Sequence, residues 1–268
     1  MSSIAFAFND GMTIAKRNMI KIKRVPDLLV FTTLSPIMFV LLFAYVFGSS
    51  IAIPGVSYRE FLMAGIFVQA VVFGATWTGL GLAEDMQKGI IDRFRTLPMA
   101  RSAVLVGRTT SDVVINVISL VVMSLTGLII GWRIHTSAGE ALLGFVLVLL
   151  FAYALSWMMA VVGLWIRSPE VFNNASFIVI FPLTFIANTF VPSNNLPGPL
   201  KVIAEWNPVS AITQASRHLF GNTNPSSMPI PDAWPLQHPV IASLGWTAII
   251  LLIFVPLAIN RYRKAVSR

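Results

Sequence analysis

The side chains that carry most enzyme chemistry are scarce in this chain of 268 residues. It has no cysteine, which excludes disulfides, thiolate nucleophiles and cysteine-based metal sites. The three histidines, His135, His218 and His238, stand at no ligand-like spacing, so no metal centre and no catalytic acid–base pair is expected. The glycine-rich run GATWTGLGL (74–82) lacks the lysine of a phosphate-cradling GxxxxGK[ST] loop and lies inside an apolar stretch. Its small residues suit close helix packing instead, and Gly127-x-x-x-Gly131 is a weaker signal of the same kind. Asp112 stands near the start of another apolar run, four residues after Arg108. A local ion pair is expected there, with Asn116 continuing the face. One dense polar stretch remains, EDMQKGIIDRFRTLPMAR at 84–101. Met86, Ile90, Phe94 and Leu97 share one helical face, Glu84 and Lys88 form a favourably ordered i,i+4 pair, Gly89 loosens the middle, and Pro98 ends the segment. The spacing predicts a short amphipathic helix over 84–98.

The elements that must position this segment are read from the composition. The chain is 56% hydrophobic and only 11% charged, against about 25% charged in ordinary soluble domains. Apolar runs of bilayer length recur, at roughly 28–47, 61–81, 104–131, 142–165, 174–191 and 240–259. The first is too long, and lacks the small-residue cleavage site, for a removable leader. The fifth is short and holds Pro182, which predicts a broken or tilted helix. The expected fold is therefore an all-α integral membrane protein with six transmembrane helices. Basic residues set its orientation. With the N-terminus inside, the inner side holds 15 of the 19 lysines and arginines, and the outer side holds Arg59, Arg133, Lys201 and Arg217. The expected topology is N-in/C-in, 84–101 is cytoplasmic, and the net charge of +8 reads as topology rather than as a nucleic-acid surface.

Two other polar segments flank the spans. Before the first, Phe8, Met12, Ala15, Met19 and Ile22 recur at helical spacing beside Arg17, Lys21 and Arg24, which predicts an N-terminal amphipathic helix at the inner interface. Residues 192–239 form a long extracytoplasmic segment. Within it, Trp206–Phe220 has helical apolar spacing, Asn207-Pro208 suits its start, and partial embedding in the outer leaflet is expected. Uncharged polar residues inside the spans are Gln69, Thr76, Thr78, Ser119, Ser124, Ser156, Thr184 and Asn188. Most should bond to neighbouring helices. Thr184 and Asn188, about one turn apart beside Pro182, are the candidates for a translocation path, together with Gln69.

The 84–101 segment resembles the acidic-x-x-x-Gly-x-x-acidic-Arg…Thr-x-Pro-x-x-Arg motif of the membrane subunits of type-2 ATP-binding-cassette exporters. The matching residues are Asp85, Gly89, Asp92, Arg93, Thr96, Pro98 and Arg101, with Arg108 at a later basic position. The tripeptide Thr96-Leu97-Pro98 departs slightly, since many members have Thr-Pro directly. A second match, AEWNPVSAITQASRHLFGN (204–222) after FVPSNNLPGPL (190–200), is similar to the daunorubicin/doxorubicin-resistance permeases. The resemblance covers nearly the whole chain. It implies a permease subunit without catalytic activity of its own, in a bacterial cytoplasmic membrane. It also implies a separate nucleotide-binding ATPase subunit that binds ATP and magnesium, and a second permease, either another copy or a paralogue. The 84–98 helix would then be the coupling helix docked on the ATPase, through Glu84, Asp85, Lys88, Gly89, Asp92, Arg93, Arg95, Pro98 and, just beyond, Arg101.

The expected function is export of a hydrophobic or amphiphilic small molecule, a drug or antibiotic, driven by ATP. One alternative keeps the architecture and changes the cargo to a lipid or lipid-linked glycan. Another, of a different class, is an ion-gradient transporter or channel, which would need inverted repeats or a charged pore ring that the sequence does not display. A membrane enzyme would need a polar constellation near an interface, and none stands out.

Overall fold

A computed structural model describes residues 26–48, 53, 55–90, 103–166, 168–223 and 233–266, with backbone alone for 26–33, 47 and 264–266. The N-terminal amphipathic helix and most of the 84–101 segment lie outside these residues. Helix α1 spans Pro26–Leu42 and continues as a π-helical turn, Phe43–Phe47. The long helices α2 (Tyr58–Gln87), α3 (Ala103–Ile129) and α4 (Ala138–Trp165) follow, then α5 (Pro169–Phe185). Beyond a 3-10 turn at Ser193–Asn195 come α6 (Gly198–Trp206), α7 (Pro208–Phe220), the single turn α8 (Trp234–Gln237) and α9 (Pro239–Val266).

Six membrane helices were expected, and the structure corrects that count. Among the described residues four helices are long and apolar enough to cross: α2, α3, α4 and α9 as Pro239–Arg263. The expected spans at 28–47 and 174–191 correspond to α1 and α5, each 17 residues long with an internal proline, Pro36 and Pro182. At 1.5 Å per residue such a helix is about 26 Å long, short of a hydrocarbon layer of about 30 Å. The apolar residues counted toward those spans go instead into the π-helical turn after α1 and the turn after α5. The six-span path falls with the count.

The boundaries of the long helices follow local chemistry. Ser57 accepts from the Glu60 amide at the start of α2. Ser137 and Glu140 form a reciprocal capping box at α4, and Ser168 caps α5 one residue before Pro169. Helix α2 is the hub. Its face from Tyr58 to Ala83 is buried against α4, α5, α3 and α7. Glycine makes the closest of these contacts feasible. A Cβ at Gly163 of α4 would lie 2.2 Å from the Gly79 carbonyl of α2, so the two backbones touch. The glycine-rich 74–82 run is thus a helix-packing surface. Outward-facing Val121, Leu125, Ile178 and Leu252 are exposed on α3, α5 and α9, as lipid contact or a membrane partner requires.

At one end of the bundle lie the C-termini of α2, α4 and α9. Arg261 sits 4.8 Å from the Trp165 ring, and Asp85 is close enough to Tyr262 to act on it electrostatically. The 130–137 connection and α7 close the opposite end. There Phe220 packs edge-on to Phe67 and Trp132 at 6.0 and 5.6 Å.

Candidate functional site

The polar segment between α2 and α3 begins inside α2. Glu84 and Asp85 belong to its last turn, and Lys88 follows as the C-cap. The expected Glu84–Lys88 pair is present at 3.3 Å and is well exposed, so it adds only a few tenths of a kcal/mol. Gly89 has φ of 63°, a left-handed conformation that turns the chain out of the helix and that a side chain would resist. Asp85 is buried. Asp92, Arg93, Arg95, Pro98 and Arg101 lie outside the described residues.

A polar seam runs from this segment along α2 and α3. The Thr78 hydroxyl donates to Asp112 Oδ2, and Arg108 Nη2 donates to the Trp77 carbonyl at 3.2 Å. Arg108 and Asp112 still interact electrostatically, as expected from sequence, but their hydrogen bonds go across the helix pair, because both side chains point at α2 rather than along α3. Asn116 reaches the same partner. A Cβ at Gly74 would come within 2.6 Å of its Oδ1.

The candidate path residues occupy different settings. Thr184 is buried and spends its hydroxyl on the Ile180 carbonyl, 2.9 Å away in its own helix. Asn188 lies past the end of α5, in the turn, so the two are not on one helical face. Three residues on one face of α7 hold it. Its backbone N–H donates to Ser210 Oγ at 3.0 Å, its Nδ2 donates to Gln214 Oε1 at 3.4 Å, and its carbonyl accepts from Arg217 Nη2 at 2.7 Å. Gln69 is buried in α2 with no protein partner for Nε2, and Asn188 Oδ1 is equally unpartnered. No hydrogen bond joins Gln69, Thr184 and Asn188 to one another among the described residues.

The carbonyls freed at the end of α5 are taken by side chains. Asn207 Nδ2 donates to the Leu183 carbonyl at 2.7 Å, and the Thr189 hydroxyl donates to the Thr184 carbonyl. Asn207 also caps α7, with Pro208 at its first position. The apolar face of α7, with Val209, Ile212, Ala215 and Leu219, is buried in the protein. That face packs on the neighbouring helices.

Arg217 was read from sequence as one of four outer-side charges. It is 1% exposed. Its Nε donates to the Phe61 carbonyl at 2.9 Å, Nη2 donates to the Asn188 and Thr189 carbonyls at 2.7 and 2.9 Å, and the guanidinium stacks 3.4 Å from the Phe61 ring. Burial pushes its pKa down to about 9, against the nearby Tyr58, so it is still a cation at neutral pH. The signal that could have found it is the i, i+4, i+7 spacing of Ser210, Gln214 and Arg217, a polar stripe on an otherwise apolar helix face. The same end is tied to the 130–137 connection. Trp132 Nε1 donates to Asn222 Oδ1 at 2.7 Å, and Arg59 Nη1 donates to the Ile130 carbonyl at 3.0 Å.

Among the described residues no group of three or more His, Asp or Glu side chains could hold a metal. The arrangement is that of apolar helices joined by polar side-chain-to-backbone ties.

Comparison with known proteins gives a consistent result. The sequence model of the ABC-2 type transporter family matches residues 10–220. A Streptomyces coeruleorubidus protein named daunorubicin resistance ABC transporter permease protein DrrB1 is 33% identical over 260 residues, covering 97% of this chain and 88% of its own. A Mycobacterium tuberculosis (strain CDC 1551 / Oshkosh) protein, named as a probable doxorubicin resistance ABC transporter permease, DrrC, is 25% identical, covering 75% of this chain and 68% of its own. A putative transport permease, ycf38, from Porphyra purpurea is 23% identical, covering 79% and 74%.

Proposed function

The chain belongs to the ABC-2 type transporter family, and from that premise we propose that it is the permease half of an ATP-driven exporter. Its cargo is a hydrophobic or amphiphilic small molecule of the drug or antibiotic kind, moved out across the cytoplasmic membrane. Permeases of this family pair with a separate nucleotide-binding ATPase subunit. ATP and magnesium bind on that subunit, and the working unit holds two permeases, either two copies or this chain with a paralogue. The observation that carries the reading is the match to a daunorubicin-resistance permease along 97% of the chain.

The sequence motif at 84–101 and its basic residues support a division of labour. The 84–101 segment faces the cytoplasm and docks on the ATPase through Glu84, Lys88, Gly89, Asp92, Arg93, Arg95, Pro98 and Arg101, while the buried Asp85 anchors its start beside Tyr262. Residues 192–239 face the opposite side. Gln69, Thr184 and Asn188 lie along the cargo path, which is otherwise apolar, as small-molecule sites generally are. The unpartnered Gln69 Nε2 and Asn188 Oδ1 favour this assignment, because buried polar atoms are costly until something bonds to them.

Charge reversal tests the docking surface. Asp92→Arg with Arg93→Asp is expected to leave the chain in the membrane and to lose the ATPase subunit from a pull-down. Unchanged stoichiometry together with unchanged coupled ATPase would refute the role given to 84–101.

A further inference from the structure

The helices that flank the cytoplasmic connection, α2 and α3, are matched residue by residue. Gly81 lies opposite Arg108, Thr78 opposite Asp112, Gly74 opposite Asn116, and, far from the connection, Met63 opposite Gly127. These pairs describe one antiparallel register held along the whole length of both helices. The chemistry within it is uneven. At the far end the contact is apolar, with Met63 against Gly127. In the half nearest the connection it is polar, and Arg108, Asp112 and Asn116 recur every four residues on the face of α3 turned to α2.

Each of the three is fitted to a specific partner. Arg108 donates to the Trp77 carbonyl, and its guanidinium lies so flat on Gly81 that a Cβ there would fall 1.4 Å from Nη2. Asp112 is buried and accepts from Thr78. Asn116 fills the notch left by Gly74. A slide of one turn in either direction would set Asp112 opposite Leu82 or Gly74, neither of which offers it a hydroxyl, and an unpaired polar group there is strongly disfavoured. A purely apolar interface would resist sliding far less, because lipid replaces lost apolar contacts at little cost.

We propose that the Arg108–Asp112–Asn116 stripe is a register lock. It makes α2 and α3 move as one unit, so that displacement of the connection between them is carried into the membrane rather than lost as slippage. These are positioning residues, and the proposal rests on the ATP-driven reading above. Segment 88–102 is attached to α2 at one end and α3 at the other, so a partner that pushes it acts on both helices at once.

The test uses the full chain assembled with its ATPase subunit in proteoliposomes, with daunorubicin as the probe cargo. Gly81→Ala evicts the end of a flexible side chain rather than a backbone, so the fold survives it while Arg108 loses its seat. Thr78→Val removes the hydroxyl that Asp112 accepts from, and Thr78→Ser restores it. Assembly with the ATPase and the rate of ATP hydrolysis per folded complex should stay at the parent level in all three. Daunorubicin moved per ATP should fall about threefold in Gly81→Ala and Thr78→Val, the weight of one interhelical hydrogen bond in a membrane, and should recover in Thr78→Ser. Full retention of daunorubicin moved per ATP in both variants overturns the lock, as does a fall of transport and hydrolysis together in proportion to folded complex. Failure of the parent chain to assemble with an ATPase or to transport with ATP overturns the exporter reading itself, which separates the two claims.

Discussion

Replacing Arg217 by methionine removes the cation that ties α7 to the turn after α5. Methionine keeps most of the apolar stem contact but none of the donors. The Phe61 carbonyl sits inside α2 and keeps its helical partner. The Asn188 and Thr189 carbonyls lie in a turn and lose their arginine donor. A buried acceptor stripped of its donor costs about 1–3 kcal/mol. Two of them give about 2–6 kcal/mol, part of which is returned because a charge no longer has to be buried. The expected loss is about 3 kcal/mol, or a fall in Tm of about 6–12 °C for a chain of this size. Lysine is a poor substitute. One ammonium cannot reach both the Phe61 carbonyl and the turn, so Arg217→Lys should recover less than half of the loss. The assay is thermal unfolding in detergent, beside amide hydrogen exchange. Protection should fall first at 186–192 and along α7. A Tm within about 1 °C of the parent, with unchanged exchange in the turn, would refute the reasoning that Arg217 holds these elements together.

Gly163→Ala places a methyl 2.2 Å from the Gly79 carbonyl, where only backbone can give way; it should lower Tm and the yield of folded protein, by about 1–3 kcal/mol in unfolding measurements. Gly139→Ala meets nothing within 4 Å and should be neutral or stabilise by up to about 1 kcal/mol in the same assay. Asn188→Leu leaves the bonds to Ser210 and Arg217 in place, because both use the Asn188 backbone. It loses only the long side-chain bond to Gln214, so Tm should move little while the ranking of several transported cargoes changes. Transport of every cargo falling in proportion to folded protein would remove Asn188 from the path.

Much of this architecture was legible in the sequence, and the parts that were not share a cause. The long helices α2, α3, α4 and α9 announce themselves by apolar length, and Ser137–Glu140 and Asn207-Pro208 mark two helix starts by their capping chemistry. The glycine run 74–82 was legible as a packing surface, since small residues in an apolar stretch have few other uses. Apolar length misled at 28–47 and 174–191. Composition does not distinguish a continuous helix from one that gives way to a π-helical turn at Phe43 or stops at Phe185. The least legible feature was the setting of Arg217. A single charge in a polar-looking segment reads as solvated, and only the fold shows it surrounded by carbonyls of residues as distant in sequence as Phe61. Arg108 and Asp112 were half legible for the same reason. Their i,i+4 spacing suggests the electrostatic interaction they do have, but their hydrogen-bond partners lie on α2.

The account stands most directly on what energises transport. The chain should be placed in proteoliposomes with and without its ATPase subunit, and uptake of an amphiphilic aromatic dye measured with ATP, without ATP, and under an imposed proton or sodium gradient. ATP-driven export requires accumulation only when both subunits and hydrolysable ATP are present, with no response to either gradient. Accumulation by this chain alone under an ion gradient, or none in the complete ATP-supplied system, would contradict it.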